Sequence, residues 1–103
     1  MNPINIRLAG VTFQDAQKNI KRFGKSGHAP YELVREPGNI HDPNAVRVEF
    51  SGNFIGYLPR MEAAVIAPLM DQGRRFFAQF LMLNRHPTHS TVGITVQVVE
   101  IAQ

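Results

Sequence analysis

A stiff polar loop is the stretch of this sequence best suited to chemistry. Residues 36–44 read EPGNIHDPN, with two prolines, one glycine and two asparagines in nine residues. This composition excludes regular structure and holds polar groups in fixed directions. Its His41 and Asp42 are candidate binding residues, because binding groups concentrate on loops held by a rigid scaffold. A purely structural role stays open, since Asp-Pro-Asn is good turn chemistry and Asp42 can cap its own turn.

Catalytic and metal-binding patterns are weak. His41 and Asp42 are adjacent, so on an extended chain their side chains point in opposite directions and do not converge on one ion. His86 and His89 would need a distant carboxylate to complete a metal site. The chain has no cysteine, and Gly-x-Ser-x-Gly, phosphate-binding glycine loops and His-Glu-x-x-His are absent from it. We therefore expect no enzymatic activity, no metal and no cofactor.

Cations outnumber acids and fall into groups. The chain has 11 Lys+Arg against 8 Asp+Glu, a formal charge of +3. Seven of the cations lie on or beside two predicted helices: Lys18, Lys21, Arg22, Lys25, Arg60, Arg74 and Arg75. Single-stranded nucleic acid needs cations beside exposed rings such as Phe13 and Tyr57, because phosphates pair with cations and bases stack on rings. A solvated face with ordinary salt bridges accounts for the charges equally well.

Length and composition favour one globular domain. The chain has 103 residues, of which 44% are hydrophobic and 18% charged, as is typical of a folded protein. No apolar run approaches the roughly 20 residues of a membrane span. The N-terminus lacks the basic-then-apolar pattern of a signal peptide, so we expect a cytoplasmic protein with no membrane partner.

Apolar alternation predicts six strands around the loop. They are predicted at residues 4–13, 31–35, 45–50, 54–58, 74–83 and 91–101, with a loop at 84–90. The buried row of the first strand is expected to comprise Ile4, Ile6, Leu8, Val11 and Phe13. Gly10 interrupts that row and indicates a bulge or a close backbone approach. Residues 51–53 (SGN) predict the turn of a hairpin.

Two helical segments complete the pattern. The first spans residues 15–23, with Asp15 as N-cap and Gly24 as the residue after its end. The second begins at Arg60 and ends at Gly73. Pro68 is expected to kink this second segment or to split it in two. Its buried stripe is predicted to be Met61, Val65 and Leu69.

The predicted elements indicate a mainly β fold. Six mostly antiparallel strands with two short helical segments tend to close into a small barrel, because closure removes exposed strand edges.

Three ordered stretches resemble the HIRAN domain family. They are residues 10–13 (GVTF), 33–46 (LVREPGNIHDPNAV) and 55–60 (IGYLPR). The shared pattern is an arginine–acid–proline stretch running into Asp-x-Asn-Ala, then a Gly-aromatic-Leu-Pro hairpin end and an alanine-rich helix. The resemblance runs from about residue 8 to residue 73. It implies that residues 1–103 form a single HIRAN-like domain, a six-stranded OB-like β-barrel.

The resemblance also implies a ligand. HIRAN domains occur in fork-remodelling helicases and as stand-alone bacterial proteins, and well-understood members grip the 3′ end of single-stranded DNA. By likeness, Asp42 accepts a hydrogen bond from a 3′-hydroxyl and repels a 3′-phosphate, while Phe13 stacks on the terminal base. The other DNA-binding positions implied by the resemblance are Thr12, Asn39, His41, Tyr57 and Arg60.

The chain departs from the family pattern at three positions. Thr12 stands where 3′-end binders can carry an arginine, which removes one cation that could pair with a phosphate. Ile40 replaces a common proline, and His41 replaces a tyrosine or phenylalanine, although its flat ring can still stack.

Two functions remain open on the sequence. The first is a non-enzymatic module that binds single-stranded DNA, with preference for free 3′ ends, in DNA repair or replication-fork processing. The second is an interaction module that docks a helicase, another repair protein or a mobile-element protein, for example through an apolar edge along residues 74–83.

Overall fold

Six strands and two helices form the part of the chain that the computed structural model describes, residues 1–23 and 29–102. The elements are β1 (Ile4–Arg7), α1 (Ala16–Phe23), β2 (Tyr31–Arg35), β3 (Val46–Phe50), β4 (Asn53–Tyr57), α2 (Arg60–Asp71), β5 (Phe76–His86) and β6 (His89–Glu100). The paired strands run antiparallel in the order β1-β6-β5-β2-β3-β4. The predicted mainly β class with two helices is confirmed.

The sheet curls until its two edge strands meet. The Ala9 N–H donates a 2.8 Å hydrogen bond to the Tyr57 carbonyl, and the Tyr57 N–H donates one of 2.9 Å to the Ala9 carbonyl. Gly56 permits this contact, because a Cβ there would come within 3.0 Å of the Ala9 oxygen. The result is a curled, OB-like half-barrel, as the sequence predicted.

The core fills the inside of the curl. Alternate residues of β6 are fully or almost fully buried, and they pack against buried side chains of β3 and β4. Helix α1 adds Ala16 and Ile20, and its buried Asn19 donates a 2.8 Å hydrogen bond to the Phe54 carbonyl. This bond satisfies the amide where water is excluded.

Helix α2 buries a different face from the predicted one. Its buried residues are Ala63, Ile66 and Ala67, whereas Met61 is 79% and Val65 is 57% exposed. At 100° per residue these two sets lie on opposite sides of the helix. The prediction was therefore wrong for Met61 and Val65, whereas Leu69 is partly buried against the core.

Two helical expectations have different outcomes. Of the two alternatives expected at Pro68, a kink or a division, the division is wrong, because helix α2 runs through Pro68 as one element. Asp15 directly precedes α1 as expected, and its carbonyl accepts the Asn19 N–H at 2.9 Å. Gly24 and Lys25 lie outside the described residues. No helix that the structure describes is both long enough and apolar enough to span a membrane.

Two strand boundaries also differ from the predictions. β1 ends at Arg7 and not at Phe13, because the backbone turns at Gly10, where φ is +63°. Residues 84–90 do not form a loop. β5 and β6 pair as far as His86 and His89 and leave a two-residue turn.

Candidate functional site

A cavity of about 440 Å³ lies where the two sheet edges meet. Its wall is built by the segment after β1, the loop between β2 and β3, the end of β4 and the start of α2. Six of the seven predicted site residues line it: Phe13, Asn39, His41, Asp42, Tyr57 and Arg60. Thr12 does not; it is exposed on the turn beside Phe13.

Phe13 stands in the wall with its ring largely in solvent. The Phe13 N–H donates a 3.0 Å hydrogen bond to the Gly10 carbonyl, which closes a tight turn. The side chain is 57% exposed, so the expectation that Phe13 completes a buried row was wrong. A Cβ on Gly10 would lie 3.0 Å from the Phe13 ring and 3.2 Å from the Tyr57 ring. Gly10 is therefore a close approach point, as predicted, and both rings pack against it.

Asn39 holds the loop in shape. Its Oδ1 accepts the N–H of His41 at 2.8 Å and the N–H of Asp42 at 3.1 Å, and its Nδ2 donates to Glu36 Oε1 at 2.7 Å. These hydrogen bonds use both the oxygen and the nitrogen of the Asn39 side-chain amide. They fix the backbone that carries His41, whose side chain is exposed.

The two oxygens of Asp42 have different surroundings. Oδ1 accepts the Asn44 N–H at 2.9 Å, so Asp42 does cap its own turn. Oδ2 lies 4.0 Å from Nε of Arg60, beyond hydrogen-bond distance. The Arg60 guanidinium, with its side chain 76% exposed, donates instead to the His41 carbonyl at 2.7 Å. One carboxylate oxygen and one cation are thus placed together at the cavity.

Glu36 is an organising residue that the predicted site did not include. Its Oε1 accepts hydrogen bonds from the Tyr57 hydroxyl at 2.9 Å and from Asn39, and Arg47 lies 3.4 Å from its Oε2. Partial burial acts to raise the Glu36 pKa, but these hydrogen bonds and the Arg47 charge together hold it below the ordinary value. The sequence did contain a signal for this role, because Glu36 is the acid in the arginine–acid–proline stretch of the family pattern.

Tyr57 is the donor of the hydrogen bond to Glu36. Burial and the hydrogen bond to Glu36 both raise the pKa of the Tyr57 phenol. The hydroxyl is therefore a neutral donor committed to Glu36. The Tyr57 ring, not its oxygen, is the part left to face a ligand.

The arrangement suits a planar group with a polar end. It offers an exposed ring, an imidazole, one carboxylate oxygen and an exposed cation within one cavity. Among residues 1–23 and 29–102, no group of three His, Cys, Asp or Glu side chains is placed to hold a metal ion. The rings of His86 and His89 pair with each other, with centroids 4.4 Å apart.

Comparison with known families gives a match over almost the whole chain. The HIRAN domain model matches residues 3–100. A Fanconi-associated nuclease 1 homolog of Oryza sativa subsp. japonica is 44% identical over 48 residues, which are 43% of this chain and 5% of that protein. A putative SWI/SNF-related regulator of chromatin, subfamily A member 3-like 1, of Arabidopsis thaliana is 43% identical over 47 residues, 45% of this chain and 5% of that protein. The matched stretch is a small part of each relative.

Solved structures show the same fold. A crystal structure of a Lactobacillus plantarum protein superposes with a TM-score of 0.69 at 22% identity, covering 94% of this chain and 96% of that one. The crystal structure of the HIRAN domain of human HLTF gives a TM-score of 0.67 at 18% identity, covering 94% of this chain and 74% of that one.

Proposed function

The chain belongs to the HIRAN domain family, and on that premise we propose that it is a non-catalytic DNA-binding module for the free 3′ end of a single strand. The main support for the proposal is that Phe13, which is 57% exposed, lines the same cavity as Asp42 and Arg60. An exposed aromatic ring beside a cation is what a nucleobase on a phosphate chain requires.

Each group has a task in this proposal. The terminal base stacks on Phe13, and His41 offers a second flat face. The 3′-hydroxyl donates a hydrogen bond to Asp42 Oδ2, the oxygen that the Asn44 N–H leaves available. A 3′-phosphate would instead bring two like charges together, which raises the free energy of binding a blocked end.

Arg60 and the start of α2 supply the phosphate contact. Pro59 precedes the helix and makes no side-chain capping hydrogen bond, so the first N–H groups of α2 have no side-chain cap. Arg60, the first residue of α2, lines the cavity. A helix N-terminus attracts anions, and the exposed Arg60 guanidinium adds a full positive charge. Together they favour the last phosphodiester of a bound strand. Thr12 adds no charge and contributes at most a hydroxyl at the cavity rim.

A direct test compares one oligonucleotide with three different ends. We expect the dissociation constant of a short single strand to rise at least tenfold when its 3′-hydroxyl is replaced by a 3′-phosphate. A 5′-phosphate, which adds the same charge at the other end, should have little effect. Equal affinities for the 3′-hydroxyl and 3′-phosphate strands would overturn the assignment of end recognition.

Docking of a repair protein or helicase is a second candidate function. It is favoured by the exposure of Leu81 and Met82 on β5, at 38% and 53%. Exposed apolar side chains on one strand offer an edge for a partner. Replacing both by Thr should abolish a pull-down complex with such a partner and leave DNA affinity unchanged. Persistence of the complex in that variant would remove this candidate.

A further inference from the structure

A cavity larger than that of the candidate site lies outside it. Its volume is about 710 Å³. It forms where β1 leaves the sheet edge while the β5–β6 hairpin continues to His86 and His89. We call it the distal cleft, and its charged and titratable lining residues are Arg7, Arg85, His86 and His89. No acidic side chain of residues 1–23 or 29–102 lines it, so the charged groups in its lining have a single sign.

The arginines of the distal cleft are available to a ligand. Arg7 is the last residue of β1, and its guanidinium lies over the backbone of β6, where a Cβ on Gly93 would be 3.2 Å from Nη2. Within residues 1–23 and 29–102, neither Arg7 nor Arg85 forms an ion pair. By contrast, Arg35, Arg47 and Arg74 are each held by a carboxylate.

The distal cleft and the candidate site share a wall. Val11 lines the cleft, while Gly10 and Phe13, on the same turn, line the candidate site. Two residues of chain span at most about 7 Å. A strand that enters one cavity therefore reaches the other after crossing a single turn. Successive nucleotides of a stacked strand rise by about 3.4 Å, so two or three nucleotides cover this step.

We propose that the distal cleft binds the phosphates of nucleotides that lie more than three positions from the 3′ end. This inference rests on the proposed function, and it adds the direction in which the strand leaves the candidate site. Guanidinium groups suit the role, since their forked N–H donors match phosphate oxygens. Phosphate contacts carry no sequence information, so the contribution of these arginines is independent of base sequence.

The test uses strand length as the variable. We would measure the affinity of the full chain for a trinucleotide and for a dodecanucleotide, both with free 3′-hydroxyls, in the wild type and in the double variant Arg7→Ala/Arg85→Ala. We expect the variant to lose about tenfold in affinity for the dodecanucleotide and to bind the trinucleotide like the wild type. The dependence of log affinity on log salt should become shallower by about 1.4 for the longer strand, at roughly 0.7 per phosphate contact.

Arg75→Ala is the matched control. Arg75 is an exposed arginine at the opposite end of β5 from Arg85, roughly 30 Å away along the strand. It should leave both affinities within twofold of the wild type. As a measurement that needs no variant, the dodecanucleotide but not the trinucleotide should shift the amide resonances of Thr91 and Gly93.

Four outcomes decide the matter. Selective loss of dodecanucleotide affinity in the double variant, together with the resonance shifts, supports the inference. Wild-type affinity of the double variant for the dodecanucleotide overturns it, and so does an equal loss in Arg75→Ala. In those two cases, trinucleotide binding by the wild type leaves the proposed function standing. Failure of the wild type to bind either strand removes the proposed function and this inference together.

Discussion

The hydroxyl of Tyr57 donates a 2.9 Å hydrogen bond to Oε1 of Glu36, which joins the end of β4 to the first residue of the site loop. The same carboxylate oxygen accepts the amide of Asn39 at 2.7 Å, and Asn39 in turn fixes the backbone of His41 and Asp42. The loop is therefore anchored to the sheet through one carboxylate. Disturbing that carboxylate should loosen the site without touching any group assigned to the ligand.

Removing the Tyr57 hydroxyl should lower the stability of the fold. We expect Tyr57→Phe to lower the free energy of unfolding by about 1 kcal/mol, because a hydrogen bond to a partly buried carboxylate is lost while the ring stays. Urea denaturation measures the change. Tyr31→Phe is the control, since the buried Tyr31 hydroxyl has no hydrogen-bond partner among the described residues. It should be neutral or stabilising. Equal destabilisation by both variants would contradict the assignment of the anchor to Tyr57.

Glu36 should make the domain sensitive to acid. The Glu36 pKa lies below its ordinary value of 4.5 in the folded chain. The ionised carboxylate therefore stabilises the fold fully above about 4.5, and this contribution is lost as pH falls through the lowered folded value. Denaturation at a series of pH values should show a smaller loss of stability on acidification for Glu36→Gln than for the wild type. Parallel curves would show that Glu36 does not stabilise the fold through its charge.

Gly10 and Gly38 offer a paired test of how the cavity is shaped. A Cβ on Gly10 meets the Phe13 and Tyr57 rings at 3.0 and 3.2 Å, on a backbone with φ of +63°. Gly10→Ala should therefore lower stability by about 1–2 kcal/mol and weaken DNA binding. Gly38, in the site loop, has open space around its Cβ position, so Gly38→Ala should change both quantities little. The reverse order of effects would exclude a close approach at Gly10.

Phe13 should matter for binding and not for folding. Its ring is 57% exposed, so Phe13→Ala is expected to change the free energy of unfolding by less than about 0.5 kcal/mol. Stacking on one base contributes about 1–3 kcal/mol, which predicts at least a fivefold loss of affinity for single-stranded DNA. Met61→Ala removes another exposed apolar side chain, 79% accessible on α2, and should leave affinity unchanged. Fluorescence anisotropy with a labelled oligonucleotide distinguishes the two variants.

Local sequence signals placed the polar loop more accurately than the edges of the fold. Turn chemistry located the loop and the Asp42 turn, and the likeness to HIRAN domains brought together residues from three separate stretches. Six of seven predicted residues line one cavity because turn and hairpin signals are local. Thr12 was carried over from its place in the pattern. The position of Thr12 depends on how the backbone turns after Gly10, and the alternation of apolar residues does not predict that turn.

Long-range pairing explains the remaining errors. Residues 84–90 have the composition of a loop. In the structure, the hydrogen-bonded pairing of β5 with β6 continues through them as far as His86 and His89. On α2, the large Met61 and Val65 look like core residues, but the alanines at positions 63 and 67 are buried instead. Both outcomes depend on what lies opposite each residue, and a single sequence does not contain that information.

The central claim is that the Asp42 charge distinguishes a free 3′ end from a blocked one. Asp42→Asn tests it most directly, because the amide oxygen can still accept the Asn44 N–H and keep the turn. The decisive quantity is the ratio of dissociation constants for 3′-phosphate and 3′-hydroxyl strands, measured in both proteins. The account predicts a ratio of ten or more in the wild type that falls to about one to three in Asp42→Asn. A ratio that is large and equal in the two proteins would contradict it.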